Sequence, residues 1–168
     1  MALRVGVLLN RLILQKAVRG VRTFERVEYY LQAARELDVE LILFDTAGVR
    51  LDKGVITGYV PAKGGGFRRR TLALPAVAHK RALYRGAVGR RAVMNLQRKV
   101  HLYNPEIRWD KYAIDELLGQ EVWLRPYLPG AQPLAPWAYA WFQKQLDAGN
   151  VVFVKPRNGS LGLGITRV

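Results

Sequence analysis

The residues best suited to chemistry lie in the stretch 151–168, VVFVKPRNGSLGLGITRV. Lys155 follows the apolar run Val151, Val152, Phe153 and Val154, and precedes Pro156 and a loop with Asn158, Gly159, Gly162 and Gly164. Four β-branched and aromatic residues are too few for a helix and predict a buried strand. Pro156 has no amide hydrogen for a sheet ladder, so it must end the strand or place it at an edge. Ile165 to Val168 then reads as the returning strand. An ammonium at a strand end, facing glycines that leave backbone N–H groups uncovered, is one way to hold a polyphosphate. Lys155 brings the charge and the backbone the cradle. The same residues also describe an ordinary glycine-rich hairpin. The Walker A order is absent, and so is the strand–loop–helix order of the dinucleotide fingerprint.

Charge is the second concentration of chemistry. The 168 residues include 27 Lys and Arg against 13 Asp and Glu, a net charge of +14. From Lys53 to Pro105 there is no acidic residue, and the block carries Arg68, Arg69 and Arg70 in succession. It predicts an anionic partner: nucleic acid, membrane, an acidic polymer or an acidic domain. The alternative is a solvated face of a basic protein. Without cysteine there are no disulfides or thiolate metal sites, and His79 and His101 read most simply as structural. No apolar run approaches the ~20 residues that span a bilayer. Arg4 and Arg11 interrupt the first hydrophobic stretch, so it does not read as a signal peptide, and a cytoplasmic location is expected.

Val-Phe-Val-Lys-Pro followed by Asn-Gly-Ser-Leu-Gly-Leu-Gly-Ile resembles the first hairpin of the ATP-grasp superfamily, specifically the YheC/YheD-type proteins associated with endospore coats. Arg108-Trp109-Asp110-Lys111-Tyr112 resembles a second motif, which places an ATP-contacting lysine at a helix start. By this resemblance Lys111, Lys155 and Ser160, with the backbone of Gly159, Gly162 and Gly164, contact ATP. Leu128 to Leu134 departs from the pattern, with Leu-Pro-Gly-Ala-Gln-Pro-Leu where a Leu-Pro-Glu-Thr-like turn is expected. In Ala78-His79-Lys80-Arg81, only Arg81 matches the Tyr-Asn-Arg-like sequence of that family.

The fold implied is α/β, with a pre-ATP-grasp-like domain at 1–104 and the beginning of an ATP-grasp nucleotide-binding domain at 105–168. The implied activity is ligase-like: ATP activates a carboxylate as an acylphosphate for attack by an amine or thiol. The carboxylate and amine substrates, and the catalytic residues, are not identified. Such proteins carry their Mg²⁺ ligands C-terminal to this hairpin, so Mg²⁺ is expected only with a further C-terminal part, and this chain alone is expected to be inactive. Spore association is implied in the same way. The competing reading is a basic module for nucleic acid or another polyanion, without catalysis. It would use the segment from Lys53 to Lys99, with Arg68, Arg69 and Arg70 as anion-binding residues and Phe67, Tyr84 and Tyr103 as stacking groups.

The elements that must position these residues follow from periodicity. Leu3–Leu9 and Val39–Phe44 predict strands, with Asn10–Arg22 irregular and a helix from Thr23 to Leu37 between them. Strand, helix and strand with short links predict a parallel unit. Val55–Val60 and Phe67–Leu74 predict a hairpin whose tip holds Gly64, Gly65 and Gly66. Val88, Ala92, Leu96 and Val100 predict an amphipathic helix with a basic exterior. Asn104-Pro105 marks a boundary. Beyond it, Asp110 caps a helix to Leu118, prolines extend 121–136, and Trp137–Ala148 forms a helix stopped by Gly149.

Overall fold

The near-continuous apolar runs in RVGVL and ELILF give each strand two apolar faces, and a strand with two apolar faces belongs inside a sheet covered on both sides. The computed structural model, which describes residues 3–84, 86–105, 110–159 and 162–168, builds such a sheet. The chain divides into two compact units, 1–107 and 108–168.

In the first unit β1 (Arg4–Leu8) leads through Asn10 into α1 (Arg11–Val18). This helix replaces the irregular segment expected there. Asn10 accepts from the Leu12 amide as N-cap and Leu14 is buried, but the successive apolar residues Leu12, Ile13 and Leu14 obscure the helical period. α2 (Val27–Glu36) starts four residues later than Thr23, whose hydroxyl instead donates to the Glu25 carbonyl. Val27 and Ala34 are buried, whereas Phe24 and Leu37, both within the helix expected from Thr23 to Leu37, are exposed. β2 (Glu40–Phe44) pairs parallel to β1.

Asp45 then caps a 3₁₀ turn at Thr46–Gly48, and β3 (Val49–Arg50) follows. β4 (Val55–Pro61) and β5 (Phe67–Ala73) form the expected hairpin, with Gly65 and Gly66 at positive φ at its tip. Gly58 lets β4 approach β2, since a methyl group there would come 2.5 Å from the Leu43 carbonyl oxygen. β6 (Val77–Lys80), α3 (Ala87–Gln97) and β7 (His101–Tyr103) complete the unit. The two short parallel strands were not expected. β6 lies between β1 and β7, so the sheet runs β3-β4-β2-β1-β6-β7 with β5 beside β4. This mixed sheet makes the protein α/β.

Its two faces hold separate cores. Leu8, Ile42, Phe44 and Ala78 pack with Val93 and Leu96 of α3, while Val7, Leu9, Leu41 and Leu43 pack with Leu14, Val27 and Ala34 of α1 and α2. Full burial of a side chain such as Phe44 contributes about 1.5–3 kcal/mol. Val88, expected on the buried face of α3, is exposed, and Val93 takes its place.

The second unit holds α4 (Lys111–Gly119), 3₁₀ turns at Arg125–Tyr127 and Pro136–Ala138, α5 (Tyr139–Asp147), β8 (Phe153–Val154) and β9 (Thr166–Arg167). The hairpin β8–β9 is present but not buried: Phe153 is 53 % exposed. On α4 Tyr112 and Ile114 are half-buried, whereas Leu117 is 58 % exposed. Among the described residues of this unit only Ala138 is a buried hydrophobic. Among the described residues no helix is long and apolar enough to cross a membrane.

Candidate functional site

Asp110 occupies the N-cap of α4, accepting from the amides of Tyr112 and Ala113 at 3.0 and 3.3 Å. The carboxylate thereby satisfies two of the donors that a helix start leaves unpaired. Arg157 pairs with it at 2.7 Å and lies over the Tyr112 ring at 5.4 Å. This guanidinium, helped by the two amides, holds the Asp110 carboxyl below its ordinary pKa. Nothing local pointed to Arg157, because its partner is 47 residues away.

Lys111, the first residue of α4, binds the segment after β8 twice over. Its amide donates to the Arg157 carbonyl at 2.9 Å. Its ammonium donates to the carbonyls of Pro156 and Gly159 at 3.1 and 2.7 Å. The helix start and the loop 156–159 are therefore one tied assembly.

Lys155 differs from Lys111 in its surroundings. It is exposed at the end of β8, with its ammonium 5.8 Å from the Phe153 ring centroid. Both lysines line a cleft of about 440 Å³ whose walls include Tyr112, Trp141, Phe142 and Phe153, with the segment Pro129–Leu134 along one side. That volume lies within the range of about 300–1,000 Å³ usual for small-molecule pockets. Asp115 is the only acidic residue on its walls among the described residues.

The loop glycines sort by conformation. Gly162 and Gly164 have φ of +73° and +72°, in the left-handed region that favours glycine, and a methyl group on Gly164 would come 2.9 Å from Pro156 Cγ. Gly159 has no such requirement, and a methyl group there would sit 3.8 Å from Lys111 Nζ in open contact. None of the three is on the cleft wall, and Ser160, like Arg108 and Trp109 of the upstream motif, lies outside the described residues. Arg68, Arg69 and Arg70 belong to the other unit, exposed on β5.

These residues have the means to hold a polyanion with an apolar or planar part: a cation at a strand end, a second cation at a helix start, and aromatic walls. They do not supply a metal centre. Among the described residues no group of three or more His, Asp or Glu side chains is placed to hold a metal ion. Neither the protein-family models nor the curated proteins compared with the chain give a match.

Proposed function

We propose that the unit of residues 108–168 binds ATP in the cleft lined by Lys111 and Lys155. The observation that carries this reading is the presence of both lysines on the wall of one aromatic-lined cleft. Lys155, whose ammonium among the described residues donates to no carbonyl, is the residue for the phosphates, since a charge-assisted contact to phosphate is stronger than a neutral one. Tyr112, Trp141, Phe142 and Phe153 offer the apolar surface against which a planar base packs. Gly162 and Gly164 allow the loop that follows Lys155 its left-handed turns.

The ATP-grasp resemblance extends this reading to a ligase-like role, in which ATP supplies the phosphoryl group that activates a carboxylate for an amine or thiol. Within this chain the named residues bind and orient the nucleotide. No side chain here is assigned to proton transfer or to Mg²⁺.

Titration of ATP against tryptophan fluorescence tests the proposal, because Trp141 is on the cleft wall. The expected result is a saturable change lost in Trp141→Phe, with calorimetry confirming binding to both proteins. Calorimetry showing no binding of ATP, with or without Mg²⁺, overturns it.

A further inference from the structure

β5 pairs with β4 over its whole length, from Val55↔Ala73 to Pro61↔Phe67, and with no other described strand. The opposite side of β4 is taken by β3 and, at Tyr59, by β2. The outer side of β5 is therefore an edge of the sheet. In an antiparallel strand alternate residues direct their backbone groups away from the partner, so a seven-residue edge offers a template for another strand. One of its carbonyls, that of Ala73, accepts from Arg4 at 3.1 Å.

The arginines on this edge divide between the two faces of the sheet. Arg68 and Arg70 stand opposite Val60 and Gly58, on the face that also carries Ile56 and Leu72. Arg69 stands opposite Tyr59, on the face that carries Phe67. All three are exposed, and among the described residues none has a hydrogen-bond or ion-pair partner for its side chain. The chain from Lys53 to Pro105 contains no acidic residue to serve as one.

A polyanion lying against one face of the sheet meets Arg68 and Arg70 but leaves Arg69 behind. An added strand carries its side chains to both faces with the same period of two as β5 itself. Three consecutive acidic residues on such a strand meet all three arginines as cross-strand or diagonal pairs.

We propose that β5 is a docking edge for an extended acidic segment of a protein partner, which adds to the sheet as a further strand with consecutive acidic residues, one face after the other, paired to Arg68, Arg69 and Arg70. Backbone bonds supply the register, and the arginines select for acid on both faces.

The test uses a fluorescein-labelled peptide, Thr-Val-Glu-Glu-Glu-Val-Thr, and two controls of equal charge: one N-methylated at alternate residues and one with a central proline. The parent peptide is expected to bind at least about tenfold more tightly than either control, since both lose ladder donors. Arg69→Glu and the double variant Arg68→Glu/Arg70→Glu, checked for folding by circular dichroism, should each weaken binding. A peptide carrying lysine only at its central acidic position should recover binding to Arg69→Glu. Amides in 67–73 should gain protection from exchange only with the parent peptide. Equal binding of all three peptides means a diffuse basic patch and overturns the proposal. So does tighter arginine-dependent binding of single-stranded DNA, which assigns the surface to nucleic acid. Absence of binding also overturns it, leaving the arginines as charges that keep the edge unpaired.

Discussion

Lys155 and Lys111 line the same cleft but start from different states, and their replacement by methionine should separate them. Among the described residues the Lys155 ammonium has a ring beside it and no hydrogen-bond acceptor, so a phosphate contact there replaces solvent. Losing a hydrogen bond to a charged group costs about 1.5–3 kcal/mol, which is about 10- to 150-fold in the dissociation constant for ATP. Lys111 must first release the carbonyls of Pro156 and Gly159. At about 1 kcal/mol net each in this exposed setting, those bonds offset most of what a phosphate contact returns, and the loss in affinity should stay below about tenfold. The larger effect of Lys111→Met belongs to the ligand-free protein. Without the two bonds the loop should open about 30-fold more often, read as faster exchange of the residue-111 amide, which donates to the Arg157 carbonyl. Calorimetry with ATP and amide exchange by NMR, on parent and both variants, measure the two quantities. If Lys155→Met binds ATP like the parent, the phosphate role of Lys155 is wrong. If Lys111→Met loses as much affinity as Lys155→Met while amide exchange is unchanged, the account of Lys111 as the loop's tie is wrong.

Three further outcomes follow from the geometry. Gly164→Ala should open the β8–β9 hairpin by about 1–2 kcal/mol, because positive φ and the Pro156 contact both oppose a methyl group, whereas Gly159→Ala should be tolerated. Exchange at the amides of Val152 and Val168, which bond across the hairpin, reports it. Glu25 is 6 % exposed and held by Arg81 at 2.9 Å, so Arg81→Met should cost about 1–3 kcal/mol in urea unfolding, reduced from a fully buried pair because Arg81 is partly exposed. Glu25→Gln in the same background should recover part of it. His79 is held below its ordinary pKa, first by burial and then by Arg81. A depressed histidine means that the folded state binds fewer protons, so its contribution is complete above the unfolded value of about 6.5 and is lost as pH falls through the folded value. Stability measured from pH 7.5 to 5 should therefore fall less steeply in His79→Gln, and an unchanged slope counts against this.

Local pattern was enough to read β1, β2, the β4–β5 hairpin, the Asp110 cap and the β8–β9 hairpin, because each is determined by neighbours a few residues apart: alternation, a glycine tip, a capping carboxylate. The division of Arg68, Arg69 and Arg70 between two faces follows from the same period of two, once they are placed on a strand. That β5 is an edge strand does not follow from it, since strand order depends on which distant segments pair. β6 and β7 show the limit most plainly. The four residues Val77–Lys80 include a histidine and a lysine that is 1 % exposed, and they are a strand only because β1 and β7 flank them. Burial of Lys80 against the sheet overrides the polarity by which a sequence reading ranks it. The tie between Lys111 and the loop lay out of reach for the same reason. Its donor and acceptors are 45 and 48 residues apart, and only the tertiary structure decides that a helix start and a strand end share their hydrogen bonds.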